Sequence, residues 1–282
     1  MAAEPKSYPH GELLAEPAEL ARPETGRQLV VLDVRGEEPF RAGHVPRAVR
    51  VDPAEWSKAF DNGQDAAGWG QRITALGVGP ESKIVLYDDS SFKDAARAWW
   101  ILKYWGARDV RLLNGGWAAW RAAGSPTEQG AGQKPAAGSF AVKPQADRLA
   151  TKQLLLNSLT RGSSDLQIID ARSEKEFCGL EKMKNKRAGA IPGARHLEWS
   201  DLVDQSSGRF KSAGELRELF SAAGISLARP AAAHCQSGGR ASVMVFALEL
   251  MGAEHPRNYY RSWAEWGNAD DTPVVPGEPQ KK

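Results

Sequence analysis

The chain has 282 residues, 41% of them hydrophobic, which is enough for one large or two ordinary globular domains with real cores. Its 37 lysines and arginines nearly balance its 35 aspartates and glutamates, and a net charge of +2 lacks the basic footprint of a nucleic-acid-binding protein. The proline-broken, polar N-terminus and the lack of long apolar runs predict neither a signal peptide nor a membrane span, so we expect a cytoplasmic protein without membrane partners.

Apolar runs of strand length alternate along the chain with longer segments of helical period. The predicted strands are 29–32 and 84–87 in the first half, and 166–169 and 231–233 in the second. The run 231–233 is AAA, a poor strand former, and is assigned as a strand only because KIVLY occupies the equivalent place in the first half. This alternation predicts an α/β fold with a mainly parallel sheet.

The two halves of the chain resemble one another. The segment from Gln28 and the segment from Leu166 each contain an apolar run that ends in Asp-x-Arg, an acidic stretch that closes on Phe, and a Gly/Pro turn. A repeat of this length predicts two copies of one fold. We therefore predict an N-terminal domain at 1–125, a linker rich in Gly, Pro and Ala at 126–145, and a C-terminal domain at 146–282.

The chain contains only two cysteines, and no Cys/His cluster has zinc spacing, so the sequence predicts neither a disulfide framework nor a metal site. Cys178 follows Phe177 in an ordinary helical stretch and is predicted to pack. Cys235 lies between a predicted strand and a predicted helix, where α/β proteins bind ligands. Gly238 and Gly239 let the backbone turn its N–H groups inward at a helix N-terminus, which favours an anion and a reactive thiolate.

The spacing between Cys235 and Arg240 distinguishes two chemistries. Cysteine-dependent phosphatases use Cys-x5-Arg, whereas this chain has four intervening residues, which are Gln236, Ser237, Gly238 and Gly239. The tighter loop suits a single added sulfur atom better than a phosphoryl group. A cysteine phosphatase or arsenate reductase is the enzymatic alternative, and a non-catalytic binding scaffold is the alternative from another class. A pure scaffold does not explain why Asp88 replaces the cysteine in the first half only.

The loop Cys235-Gln-Ser-Gly-Gly-Arg240 resembles the Cys-x-x-Gly-x-Arg active loop of rhodaneses. The duplication resembles the two-domain thiosulfate and 3-mercaptopyruvate sulfurtransferases. The fragments VLDVR, GHVPRA and LLNGGWAAW in the first half, and IIDARSEKEF, AGAIPGA and RNYYRSWAEWGN in the second, follow that family's order. The resemblance implies two tandem rhodanese-like domains, each a mainly parallel sheet flanked by helices. It also implies an inactive first copy, because Asp88 cannot carry sulfur.

The resemblance further implies that Cys235 takes sulfane sulfur from a small anionic donor as a persulfide and passes it to cyanide or to a thiol such as thioredoxin or glutathione, without a cofactor. Thiosulfate is the expected donor, because the loop is similar to a bacterial thiosulfate group. Glu176 stands where animal-type enzymes place a donor-binding arginine, which argues against the alternative donor, 3-mercaptopyruvate. A monomer is expected. The basic run at 181–187 is interpreted as a solvated loop, with attraction of anionic donors as the alternative.

Candidate donor-binding residues come from both halves. Arg187 and Arg240 are proposed because a planar guanidinium suits an oxyanion. The resemblance adds His44 and Asp33, which together with Ser237 match a serine–histidine–aspartate set proposed for mercaptopyruvate enzymes. The competing interpretations are a turn-stabilising role for His44 and a structural ion pair for Asp33.

Overall fold

A computed structural model describes residues 7–22, 29–61, 63–133, 135, 138–160 and 165–278. The chain divides into two compact units. The first comprises residues 12–146 and 204–210, and the second comprises the chain up to residue 11 together with 147–203 and 211–282. The domain limits derived from the sequence remain predictions. None of the helices in the described ranges is long and apolar enough to cross a membrane.

The first unit is built on a five-stranded parallel sheet with the order β1-β5-β4-β2-β3. Its strands are β1 (Leu14–Ala15), β2 (Leu29–Asp33), β3 (Val49–Arg50), β4 (Lys83–Tyr87) and β5 (Asp109–Leu113). Its helices are α1 (Pro17–Leu20), α2 (Glu37–Ala42), α3 (Pro53–Ala59), α4 (Ala66–Ala75), α5 (Lys93–Tyr104) and α6 (Gly116–Ala122). The strands predicted at 29–32 and 84–87 are confirmed as β2 and β4.

The second unit is built on a four-stranded parallel sheet with the order β7-β6-β8-β9. Its strands are β6 (Gln167–Asp170), β7 (Arg195–His196), β8 (Ala231–His234) and β9 (Arg257–Asn258). Its helices are α7 (Lys152–Thr160), α8 (Glu174–Phe177), α9 (Ala213–Ala222), α10 (Gly239–Leu250) and α11 (Ser262–Trp266). Short 3₁₀ turns lie at Gly11–Leu13, Ala146–Arg148 and Trp199–Leu202.

The alanine strand is confirmed as β8 despite its poor propensity. Every residue of β8 is buried, and the strand pairs with β6 on one side and β9 on the other. Tertiary packing therefore decides the conformation of this segment, as is common for central strands. The consequence for the site is positional, because β8 delivers Cys235 to the carboxyl edge of the sheet.

Part of the predicted linker pairs with the first unit. Glu128 and His44 exchange two backbone hydrogen bonds of 2.9 and 3.0 Å. Farther along, the Lys143 N–H donates to the Trp105 carbonyl at 3.0 Å. The described part of 126–145 is thus held by specific contacts, which a flexible connector would lack.

A buried ion pair follows the first central strand of each unit. In the second unit, Arg172 Nε donates to Asp170 Oδ1 at 2.9 Å, and Arg172 Nη2 donates to the Gly189 carbonyl at 2.7 Å. The same guanidinium lies 4.1 Å from the Trp263 ring. The pair therefore joins the strand end, the Gly/Pro turn and α11. The first unit repeats these contacts with Asp33, Arg35, Gly43 and Trp117.

His234 is enclosed beside the ion pair of the second unit. Its side chain is fully buried, and its Nε2 lies 3.5 Å from Asp170 Oδ2. Burial lowers the pKa of His234 to about 4, although the charge of Asp170 acts in the opposite direction. The imidazole is therefore neutral in the folded protein at neutral pH, which fits a packing role for His234.

The turn between β4 and α5 closes around a carboxylate. Asp88 is 2% exposed and accepts five hydrogen bonds of 2.8 to 3.2 Å. The donors are the Ser90 hydroxyl and the N–H groups of Ser90, Phe92, Asp94 and Ala95. Burial raises the pKa of Asp88, while these hydrogen bonds act against the rise. The turn of the first copy is thus an anion cradle filled by the chain's own carboxylate.

We expect Asp88→Ala to lower the free energy of unfolding by about 2–4 kcal/mol, because it leaves several buried N–H groups without an acceptor. Denaturant unfolding followed by tryptophan fluorescence measures the change. The matched control is the exposed neighbour Asp89→Ala, which should change stability by no more than about 0.5 kcal/mol. Equal changes in unfolding free energy for Asp88→Ala and Asp89→Ala would show that the hydrogen bonds to Asp88 do not stabilise the fold.

We expect the pH dependence of stability to report His234. Below pH 6.5 the unfolded imidazole binds a proton, whereas the folded one does so only below about 4. Stability is therefore complete above pH 6.5 and falls by up to about 3 kcal/mol as the pH drops towards 4. In His234→Gln the slope of unfolding free energy against pH over this window should be smaller, while the exposed control His255→Gln should keep the wild-type slope. An unchanged slope in His234→Gln would contradict the assignment.

Candidate active site

Cys235 lies directly after β8 and before α10, where the sequence predicts it. The residue is 1% exposed. Its N–H donates to Ser262 Oγ at 3.0 Å, and its carbonyl accepts from the Trp263 N–H at 3.0 Å. The start of α11 therefore holds the backbone of Cys235 on both sides, and the thiol occupies a fixed position at the floor of the turn.

Ser262 is a site residue that the sequence reasoning did not single out. Its Oγ–H donates to the Tyr259 carbonyl at 2.7 Å, which leaves the oxygen to accept from Cys235, and Oγ lies 4.0 Å from Cys235 Sγ. The backbone of Ser262 has φ of 53°, a left-handed conformation that costs energy in a non-glycine residue. The available signal was the fragment RSWAEW, which matches GGWAAW in the first half.

Gly238 forms the N-cap of α10 in a conformation that requires glycine. Its φ is 83°, and a Cβ would stand 2.9 Å from the Tyr260 carbonyl oxygen. Asn258 Nδ2 fixes the Gly238 carbonyl at 3.1 Å, and the first helical hydrogen bond runs from the Ser242 N–H to that carbonyl at 2.9 Å. The N–H groups of 239–241 precede this bond, so they form the positive end of the helix.

The turn at Cys235 and the turn at Asp88 are similar, although the N-cap of the next helix comes three residues after Cys235 and four residues after Asp88. Each turn follows a central strand of its sheet, and in each a backbone carbonyl accepts a hydrogen bond from the backbone N–H of a tryptophan, Trp117 or Trp263. In the first copy, N–H groups of the turn and of the helix start bind the Asp88 carboxylate. The second copy has a thiol at the equivalent strand end, where the same kind of turn can accommodate a negatively charged sulfur.

Arg240 lies at the loop in a bidentate ion pair with Glu176. Nη1 and Nη2 are 2.5 and 2.9 Å from the two carboxylate oxygens. Burial alone would lower the pKa of Arg240, but the bond to Glu176 and the charge of Cys235 raise it above its ordinary value. Burial alone would likewise raise the pKa of Glu176, whereas Arg240 lowers it. Both groups are therefore charged, and Glu176 partly neutralises the cation nearest the thiol.

Gln236 connects the loop to the basic run at 181–187. Its side-chain amide pairs reciprocally with that of Asn185, at 3.0 and 3.1 Å, and Asn268 Nδ2 donates to Asn185 Oδ1 at 3.0 Å. Asn185 is 6% exposed, so these bonds are shielded from water. This amide cluster was not predictable from the sequence, because its members are far apart along the chain.

Arg187 is bound to the backbone of the second unit. All three of its guanidinium nitrogens donate to oxygens of one segment, which are the carbonyls of Trp266, Gly267, Ala269 and Thr272 and the hydroxyl of Thr272. These contacts favour a structural role, and a part in donor binding remains a prediction. Arg187 fastens the chain after α11, because carbonyl oxygens already occupy the face that an oxyanion would need.

His44 and Asp33 make local contacts within the first unit. The Asp33 carboxylate accepts hydrogen bonds from Arg35 and from the hydroxyl of Tyr87. His44 is fully buried, with Nδ1 2.9 Å from the Phe40 carbonyl oxygen and its ring stacked on that of Phe40. These contacts favour structural roles for both residues, and a part in donor binding remains a prediction.

Comparison with known proteins identifies the family. Residues 16–123 and 151–269 both match the model of the Rhodanese-like domain. A thiosulfate sulfurtransferase of Corynebacterium glutamicum is 35% identical over 257 residues, which cover 86% of this chain and 83% of that protein. A probable 3-mercaptopyruvate sulfurtransferase of Pseudomonas aeruginosa is 37% identical over 85% of this chain and 79% of its own length.

Among solved structures, the crystal structure of YnjE superposes with a TM-score of 0.86 at 27% sequence identity, covering 97% of this chain and 70% of that one. Both strand–turn–helix copies fall within the matched residues. The chain belongs to the rhodanese-like family, as a tandem α/β protein, and is a sulfurtransferase.

Proposed function

We propose that the protein is a thiosulfate sulfurtransferase that carries sulfur on Cys235. The observation that supports the proposal most directly is the replacement of the Asp88 carboxylate by a thiol in the second copy of an anion-binding turn. A buried anion needs hydrogen-bond donors around it, and the turn of the first copy shows that this fold supplies them. A turn of this kind suits a sulfur atom that is negatively charged during part of the reaction cycle.

The reaction has two steps. The Cys235 thiolate attacks the sulfane sulfur of thiosulfate, a new S–S bond forms, and the S–S bond of the donor breaks as sulfite leaves with the electron pair. Cyanide or a thiolate then attacks the outer sulfur of the persulfide. That attack breaks the S–S bond between Cys235 Sγ and the outer sulfur and regenerates the Cys235 thiolate, so no oxidant or cofactor is consumed.

The electrostatics near the loop favour a compact donor. Arg240 is partly neutralised by Glu176, and Arg187 is committed to carbonyl oxygens. The carboxylate of 3-mercaptopyruvate is separated from its sulfur by two carbon atoms, so it needs a binding group at some distance from the loop. The charged oxygens of the thiosulfate dianion lie on the atom bonded to the transferred sulfur, so Arg240 and the helix N-terminus can serve both. 3-Mercaptopyruvate is the second candidate, because the relative from Pseudomonas aeruginosa bears that name.

The proposed function also includes the sulfur acceptor, the cellular location and the oligomeric state. Acceptors are cyanide in the test tube and a thiol in the cell, of the thioredoxin or glutathione type. A monomer in the cytoplasm is the proposed state. No nucleic acid or membrane partner is included.

We expect Cys235→Ser to abolish sulfur transfer while leaving the fold intact, because a serine hydroxyl forms no persulfide. Intact-protein mass spectrometry after brief exposure to thiosulfate should show one added sulfur atom on the wild type and none on the variant. Burial and the charge of Glu174 raise the pKa of Cys178, so Cys178→Ser is the matched control and should load normally. Sulfur on Cys235→Ser would contradict the proposal, and faster loading from 3-mercaptopyruvate at equal concentration would reverse the choice of donor.

We expect Arg240→Gln to slow loading from thiosulfate about tenfold at pH 7, because it removes the nearest cation and leaves the Glu176 carboxylate buried without its partner. The double variant Glu176→Gln/Arg240→Gln lacks the uncompensated carboxylate, so it should load from thiosulfate faster than Arg240→Gln alone. A double variant slower than Arg240→Gln would show that Glu176 does not oppose the sulfur anion.

A further inference from the structure

The basic run at 181–187 belongs to an exposed surface beside the active loop. Among the described residues, the large hydrophobic side chains that are exposed are those of Leu180, Met183 and Val275, at 81%, 54% and 38%. Two of these three lie in the short segment 180–186. Lys182, Lys184 and Lys186 are exposed between and beside them. The segment thus presents apolar and positively charged groups together to solvent.

This segment is held rigidly next to the active loop. Asn185 is bound to the side chain of Gln236, the residue that follows Cys235, and the Lys186 N–H donates to Asn268 Oδ1 at 2.8 Å. At the other end, the N–H groups of Leu180 and Glu181 donate to the Lys175 carbonyl at 2.9 and 3.1 Å. A surface fixed at both ends loses little entropy when a partner binds.

The exposure of Met183 is imposed by the backbone. Its φ of 51° is left-handed, which is unfavourable for a residue with a long side chain. The strain is kept in a turn closed by the Asn185 N–H and the Lys182 carbonyl at 3.1 Å. Methionine is enriched at protein-binding surfaces because it packs against varied shapes, so its outward placement beside the site favours a binding role.

The charges of the segment indicate the kind of charge that its partner carries. Glu174 and Glu181 are exposed nearby, and Lys186 lies 3.6 Å from Asp270, so part of the positive charge is compensated. Lys182 and Lys184 flank Met183, and neither forms a salt bridge with another of the described residues. The excess charge of the segment is therefore positive around the exposed side chain of Met183.

We propose that residues 180–186 form the docking surface for a protein that accepts sulfur, one whose acceptor cysteine is bordered by acidic and apolar side chains. The proposal rests on the function proposed above. The acceptor thiolate attacks the outer sulfur of the Cys235 persulfide, an S–S bond forms on the acceptor, and the Cys235–sulfur bond breaks to release the thiolate. Docking at 180–186 brings that cysteine to the loop, and the lysines favour the approach of an acidic surface.

The test uses protein loaded with sulfur and two short synthetic peptides, each with one cysteine and two leucines, flanked by aspartates in one peptide and by lysines in the other. The rate of sulfur transfer to each peptide is measured by mass spectrometry. We expect Lys184→Glu to slow transfer to the aspartate peptide about fivefold, with the effect shrinking at high salt, and to speed transfer to the lysine peptide. Leu180→Ser/Met183→Ser should slow both peptides about tenfold.

Two controls are matched to these variants. Arg229→Glu reverses one exposed charge at the opposite end of β8, and Val275→Ser removes an exposed apolar side chain outside the segment. Both should leave the peptide rates within about twofold of the wild type. Equal slowing by Lys184→Glu and Arg229→Glu, or no effect of either segment variant, would overturn the docking proposal.

Transfer to cyanide separates this proposal from the function itself. Cyanide needs no docking surface, so loading from thiosulfate and turnover with cyanide should stay within about twofold of the wild type in all four variants. If the segment variants slow cyanide and peptides equally, residues 180–186 act on the loop and not on the acceptor. If the wild type itself takes up no sulfur, the proposed function fails, irrespective of the docking surface.

Discussion

Burying a negatively charged sulfur costs free energy because the charge loses its hydration, and the proposed function of the second unit depends on offsetting that loss. Cys235 is almost inaccessible, so water cannot stabilise its charge. The stabilisation must come from the N-terminal end of α10, from Arg240, and from a backbone that cannot relax away. Two residues keep this backbone in place. Ser262 accepts a hydrogen bond from the Cys235 N–H, and Gly238 forms the N-cap at the start of α10. A pre-arranged turn of this kind spends no energy on reorganisation when the charge appears.

The duplicated fold shows the same constraint met in two ways. In the first copy the Asp88 carboxyl group accepts five hydrogen bonds from its turn, which oppose the rise in pKa caused by burial and give Asp88 a structural role. In the reaction proposed for the second copy, the sulfur gains and loses an atom, so the turn would accept two sizes of group. Glu176 accepts hydrogen bonds from both terminal nitrogens of Arg240, which fixes the orientation of the guanidinium. In the proposed function the first copy contributes to stability and the second carries the chemistry.

The sequence predicted the architecture well and the site in part. Apolar runs and the internal repeat located four of the nine strands in the described residues, and the repeat alone identified the alanine strand β8, whose own composition argues against it. The Cys235 loop was recognisable because glycines, an arginine and a helix start are local signals. Ser262 was not, because it lies 27 residues away in sequence and meets Cys235 only after β9 has paired. The contacts of Arg187 were not predictable, since most of its acceptors are backbone carbonyls, which leave no mark on a sequence. Asn185 was missed because its amide partners Gln236 and Asn268 lie far from it in the sequence.

The central claim is that the turn after β8 binds a charged sulfur through its own backbone. A high-resolution crystal structure of the protein after soaking in thiosulfate tests it most directly. The account predicts one additional sulfur atom bonded to Cys235 Sγ, with its outer lone pairs facing the N–H groups of residues 237–241 at hydrogen-bonding distance, within about 3.5 Å. An unmodified thiol, or a persulfide whose outer sulfur points away from those N–H groups, would contradict it.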